Sequence, residues 1–229
     1  YSGGSGSGDL AHKIKLTKVD EDDNSVTLAN AVFTVTQPDG TTFNLTTGAD
    51  GTVTSEALVQ GTYKVKETAA PAGYELNNTE YTLQVTATDG ALQTITDKPI
   101  KTNISVTKTW VGPKAGPITV HLFANGTDTG TTLTLDDTNN WTASFTNVRK
   151  YDQSGTEIQY TISEDTVNGY DATITGNQTT GFTITNTERP QNPTTPKTSD
   201  STNIYLYIGM MFVGIIASGY LFSKRKSYR

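Results

Sequence analysis

The chain has 229 residues, 34% of them hydrophobic and 17% charged, a formal net charge of −6, and no cysteine. Lys224, Arg225, Lys226 and Arg229 sit together at the C-terminal end, which leaves 13 basic against 23 acidic residues, or −10, for the rest; such a surface argues against nucleic acid as a partner. Without cysteine, disulfides and thiolate metal sites are excluded, so any covalent staple is of another kind.

Residues 1–9 (YSGGSGSGD) read as a Gly/Ser linker. The chain starts at Tyr1, with neither Met nor a signal peptide, as expected of a C-terminal piece of a longer exported precursor. Residues 10–100 form a first series of short alternating segments, separated by turn signals at Asp20 to Asn24, Pro38-Asp39-Gly40, Asp50-Gly51, Gln60-Gly61, Pro71-Ala72-Gly73 and Asp89-Gly90. Residues 101–187 form a second, with turns at Gly112 to Gly116, Asn125-Gly126, Asp136 to Asn140, Asp152 to Gly155 and Asn168-Gly169. Spacing and composition predict an all-β protein of two tandem β-sandwiches. Residues 188–203 are Pro/Thr-rich and predict an extended linker. The apolar run 204–222 has the length of one transmembrane helix, and the basic tail 223–229 places the C-terminus in the cytoplasm with both sandwiches outside.

Six reactive side chains stand where a strand should be apolar. Lys18 shares parity with Ile14 and Leu16, Glu67 with Tyr63 and Val65, and Asp97 with Ile95. The second series repeats the order: Lys108 with Ile104 and Val106, Glu164 with Tyr160 and Ile162, Asn186 with Phe182 and Ile184. Period-two alternation therefore turns all six inward. Buried charges are costly unless paired. One reading is an ion-paired cluster kept for conformational specificity. The other is chemical. Burial penalises the ammonium form of a lysine and frees its amine as a nucleophile, while a buried glutamic acid stays protonated and can polarise a neighbouring carbonyl and shuttle the proton. The product is an amide between two side chains.

The residues that carry this pattern also carry a resemblance. Lys18-Val-Asp, Leu28-Ala-Asn-Ala-Val-Phe33, Tyr63 to Tyr74 and Thr96-Asp97 resemble the SpaA-type pilin and adhesin domains of Gram-positive surface proteins. Val106-Thr-Lys-Thr-Trp110, Tyr160 to Asp165 and Ile184-Thr-Asn-Thr187 resemble the B-type repeats of the collagen adhesin. The resemblance implies transthyretin-like, inverse immunoglobulin sandwiches with spontaneous Lys18–Asp97 and Lys108–Asn186 isopeptide bonds promoted by Glu67 and Glu164. Asp97 stands where Asn is common, so the first bond releases water and the second ammonia. Asn30 stands where Gly is usual in the Leu-x-Gly-Ala motif.

Thr195-Pro196-Lys197-Thr198-Ser199, followed by the apolar run and basic tail, resembles the Leu-Pro-x-Thr-Gly sorting signal, with Thr195 for Leu and Ser199 for Gly. This implies sortase and peptidoglycan as partners, with cleavage after Thr198 and a cell-wall or single-pass membrane location. The leading expectation is a structural adhesin stalk, with a host matrix protein bound by an upstream region. The alternatives are a sortase-assembled pilus subunit, for which Pro113-Lys114 supplies the candidate lysine, and direct matrix binding by these domains. No enzyme is expected beyond self-crosslinking, since no nucleophile, base and orienter set for a hydrolase occurs. No cofactor or metal is expected either. Asp20 to Asn24 lacks the Gly and distal Glu of a calcium loop and reads as a solvated turn, and neither His12 nor His121 has metal-ligand spacing. Trp110 and Trp141 read as core packing.

Overall fold

The computed structural model describes residues 10–190. The linker 1–9, the sorting motif Thr195 to Ser199, the apolar run 204–222 and the basic tail lie outside the described residues. Among those described, no helix is long and apolar enough to cross a membrane.

Seven strands make the first sandwich: β1 (Ile14–Asp20), β2 (Val32–Thr36), β3 (Thr42–Thr46), β4 (Thr52–Thr54), β5 (Gly61–Ala69), β6 (Glu80–Val85) and β7 (Ala91–Asp97). They form a three-stranded sheet, β4-β1-β7, and a four-stranded sheet, β3-β2-β5-β6. Ile14, Leu16 and Ile95 from one sheet meet Phe33, Val35, Tyr63 and Val65 from the other in a single buried core. Alternation builds this core, because the inward residues of β5 are buried while Lys64 and Lys66 between them are exposed.

The second sandwich follows with β8 (Lys101–Val111), β9 (Ile118–Ala124), β10 (Thr127–Leu135), β11 (Thr142–Arg149), β12 (Tyr160–Glu164), β13 (Tyr170–Asn177) and β14 (Gly181–Glu188). Its sheets are β10-β9-β12 and β11-β8-β14-β13, packed through Ile104, Val106 and Ile184 against Val120, Leu122 and Ile162. A single 3₁₀ turn, Asp137–Asn139, is capped by Asp136. In both sandwiches the first and last strands are parallel neighbours, whereas every other named pairing is antiparallel.

The two registers are the same. Lys18 lies opposite Ile95, two residues before Asp97, and Lys108 lies opposite Ile184, two residues before Asn186. Each lysine is thus a diagonal neighbour of its acid or amide on one face, within reach of a long side chain. The glutamates come from the facing sheets, on β5 and β12. Which sheet has four strands differs between the domains, but the relation of the three residues does not.

Asn30 shows how the chain tolerates losing the usual glycine. Its φ is +65°, a left-handed conformation that Asn among non-glycine residues adopts most readily, and its N–H reaches the Thr47 carbonyl at 2.9 Å. Where the domains meet, Gly155 (φ +81°) faces Ala72 so closely that an added Cβ would lie 2.3 Å from the Ala72 Cβ. Any side chain there would force the two turns apart.

The turn expected at Asp20 to Asn24 is solvated at Glu21 to Asn24, all four exposed, but not at Asp20. It is fully buried. Its Oδ2 accepts from the Tyr74 hydroxyl at 2.7 Å and from the Arg149 guanidinium at the end of β11, and its Oδ1 accepts from the Asp22 N–H at 2.7 Å. Burial pushes the Asp20 carboxyl up, but the Arg149, Tyr74 and Asp22 hydrogen bonds together outweigh it and hold the group below the usual carboxylate range. Lys101 adds an ion pair to Asp22 at 2.9 Å. A buried, fully partnered carboxylate therefore ties the first domain to the second.

Candidate functional site

All six inward residues are placed in two compact clusters. In the first, Lys18 Nζ lies 2.5 Å from Asp97 Oδ1 and 2.9 Å from Glu67 Oε1. None of the three residues is more than 2% exposed. The Lys18 ammonium group also stands 5.4 Å from the centre of the Phe33 ring. In the second, Lys108 Nζ lies 2.8 Å from Glu164 Oε1, and Asn186 Nδ2 donates to that same oxygen at 3.2 Å. Lys108 is 4% exposed and Asn186 fully buried.

The clusters are crowded yet poorly satisfied. Among the described residues, five buried side-chain polar atoms have no hydrogen-bond partner, and four belong to the trios: Glu67 Oε1, Asp97 Oδ2, Lys108 Nζ and Asn186 Oδ1. Lys108 Nζ is near enough to Glu164 for an ion pair but lies off the angle for a hydrogen bond. Each unmade bond at a buried polar atom costs about 1–3 kcal/mol. An ion-paired cluster retained for structure should satisfy these groups, because charge attraction repays desolvation only when the remaining hydrogen bonds are made.

Burial sets the proton affinities. It pushes the Asp97 carboxyl up to about 7, against the opposing pull of Lys18, with Glu67 adding to the rise. The acid form, which has a hydroxyl to lose, is therefore well populated near neutral pH. Burial also holds the Lys108 amine below its ordinary value, although Glu164 works against it. An amine, an acid or amide carbonyl, and a glutamate beside the amine are the parts of an amidation reaction.

Trp110, read from sequence as core packing, is part of the second site. Its ring centre lies 4.5 Å from Lys108 Nζ, and its ring meets Trp141 and Tyr170 edge-on at 5.4 and 5.1 Å. The signal was its shared parity with Lys108 on β8. Trp141 is buried in the core as expected. Lys114 pairs with Asp137 at 2.6 Å and lies over Trp141, 5.2 Å from its ring centre.

The fold defines a tandem of prealbumin-like sandwiches, each with a buried trio of Lys, Glu and Asp or Asn in its core, and comparison with known proteins agrees on the fold. Residues 12–99 match the family model of the SpaA prealbumin-like fold domain, and residues 104–187 match that of the Cna protein B-type domain. The two described domains belong to these families, in that order. The collagen adhesin of Staphylococcus aureus is 29% identical over 174 residues, which make up 70% of this chain and 15% of that protein. This chain thus spans a small part of its curated relative. Among solved structures, the Bacillus anthracis TIE protein shares the fold with a TM-score of 0.59 at 23% identity, over 78% of this chain and 34% of that one. The C-terminal fragment of the pilus adhesin SpaC from Lactobacillus rhamnosus GG matches over 80% of this chain and 99% of that fragment, at 18% identity and a TM-score of 0.40.

Proposed function

We propose that the chain is a stalk segment of a cell-surface adhesin, in which each sandwich closes itself with an isopeptide bond. The observation that carries this reading is the pair of buried Lys, Glu and Asp or Asn clusters, with four of their polar atoms making no hydrogen bond and two of those four, Glu67 Oε1 and Lys108 Nζ, held by ion pairs alone. In the first domain the Lys18 amine attacks Asp97 Cγ. Glu67 passes a proton to the departing hydroxyl and takes one from the nitrogen, so the Cγ–O bond breaks and water leaves. In the second domain Lys108 attacks Asn186 Cγ, the Cγ–N bond breaks with Glu164 as the shuttle, and ammonia leaves. Both bonds join the first strand of a sandwich to the last.

The different electrophiles give the two reactions different pH dependence. Asp97 is competent as the acid, and its carboxyl is held up to about 7, so first-domain bond formation should slow as pH rises past that value and Asp97 ionises. The Asn186 amide has no such titration. Chain isolated unfolded from inclusion bodies and refolded across a pH series, with the water and ammonia losses followed by intact mass, will measure this. Parallel profiles for the two losses would remove Asp97 ionisation from the mechanism.

The anchoring half of the reading rests on sequence outside the described residues. Thr195 to Ser199 is read as a variant sortase motif, with the membrane run holding the chain until its carboxyl at Thr198 is passed to peptidoglycan. Muramidase should therefore release the protein from intact cells without detergent. Release by detergent alone would leave a single-pass membrane protein and remove the wall linkage. The 29% identity to a collagen adhesin supports surface display.

A further inference from the structure

Glu67 is held from two sides. Its Oε1 faces Lys18 Nζ at 2.9 Å, and its Oε2 accepts the backbone N–H of Asn77 at 2.8 Å. The Asn77 side chain then reaches the facing sheet, where Nδ2 donates to the Thr96 carbonyl at 2.8 Å, one residue before Asp97, and lies 3.4 Å from the Tyr81 hydroxyl. Its Oδ1 accepts from the Thr79 N–H at 3.0 Å, closing an Asx turn. Asn77 therefore bridges the strand of the proton shuttle and the strand of the electrophile. It lies in the connection 70–79 between β5 and β6, whereas the connection between β12 and β13 is only residues 165–169. In that second domain Glu164 meets both Lys108 and Asn186 through one oxygen, Oε1.

We propose that Asn77 is a positioning residue for the first-domain amide bond, orienting Glu67 through its backbone N–H and sealing the site through its side-chain bond to Thr96. The proposal rests on the isopeptide reading above. With Oε2 engaged by the N–H, Oε1 is left as the oxygen that exchanges protons with Lys18 and Asp97. Placement of this kind matters greatly to rate, since a misplacement of about 1 Å can cost about a hundredfold. The side-chain bond has a second effect. An open cleft lined by Glu21, Glu75, Asn77, Thr79, Tyr81 and Asp97 leads to the electrophile, yet Asp97 itself is only 1% exposed. Pinning the loop to Thr96 keeps water from passing that last step.

The charged groups around Asp97 are Lys18 from β1 and Glu67 from β5, with Glu21, Glu75 and Lys98 lining the cleft. Loss of the Asn77 side chain changes none of them. It frees the loop whose N–H holds Glu67 and opens the access of water, and hydration of Asp97 relieves the burial that keeps it in the acid form. Two substitutions separate the effects. Asn77→Ala removes both the bond to Thr96 and the Asx turn. Asn77→Ser keeps an acceptor for the Thr79 N–H but is too short to reach Thr96, and it carries the test should the Ala variant fold poorly.

The full chain and both variants, refolded over the same pH series, are compared by the rates of water and ammonia loss. Each variant is expected to lose water about tenfold or more slowly than the parent, to fall off at lower pH, and to lose ammonia at the parental rate. A water loss at the parental rate would overturn the proposal. So would a smaller yield of crosslinked protein with an unmoved pH profile, which is what a purely structural role gives. If the parent chain itself keeps its water, the isopeptide reading fails, and the positioning role fails with it.

Discussion

A recombinant fragment of residues 10–188 is expected to weigh less than its sequence by one water and one ammonia. Lys18, Glu67 and Asp97 are all within 2% of complete burial, where separated charges are among the most expensive groups a protein can hold. Amide formation removes the lysine charge and the ionisable acid together and turns two partly satisfied polar groups into one neutral link. With Nζ at 2.5 Å from Oδ1, the amine already lies against the carboxyl group it attacks, and no search for a partner precedes the reaction. Glu67→Ala should keep the water and lose only ammonia; Glu164→Ala should do the reverse. Asp97→Asn gives the sharpest check, because the pair of losses should become two ammonias. A parent fragment at its full unmodified mass would falsify the crosslinks.

Lys18→Ala should unfold the first sandwich at a far lower temperature while leaving the second near its parental transition. Lys18 and Asp97 are 79 positions apart. On the chain-entropy account of crosslinks, a loop of that length contributes about 4–5 kcal/mol by restricting the unfolded chain. For a domain of this size each kcal/mol moves the midpoint by about 4–8 °C, so the expected drop is about 15–40 °C. The variant also leaves Asp97 as a free buried carboxyl beside Glu67 in place of a neutral amide, which adds to the loss. Calorimetry resolves the two transitions, and a first-domain shift of only a few degrees would contradict a covalent tie. Because the domains share the Asp20–Arg149 contact, a small sympathetic shift in the second transition is compatible with the prediction; an equal one is not.

Strand parity made the clusters readable before any coordinates. Ile14, Leu16 and Lys18 lie on one face for the same geometric reason, whatever their partners. Asp20 has the same parity and is just as buried. What concealed it is distance along the chain: its partner Arg149 is 129 positions away, and local pattern contains nothing about which residue will arrive from another domain. Asn77 was hidden for a different reason. It lies between strands, where alternation has no meaning, and acts first through a backbone N–H that any residue but proline would supply. Trp110 was visible as an aromatic at inward parity, but parity does not distinguish a ring that fills a core from one that lies against Lys108. The exchange of three- and four-stranded sheets between the domains also leaves no trace in alternation, because edge strands are assigned by pairing and not by pattern.

The parallel pairing of first and last strands fixes how a stretched domain would behave. Chain enters at the Ile14 end of β1 and leaves at the Asp97 end of β7, and parallel strands put these two points at opposite ends of the pair. With the Lys18–Asp97 bond in place, a pull on the termini runs up β1 to Lys18, crosses one amide and exits. The intervening 79 positions, roughly 26–28 nm of extended chain, are bypassed and never enter the contour length. A load hung on such a domain feels a tether of fixed reach, and one that stores no slack to dissipate a sudden tug.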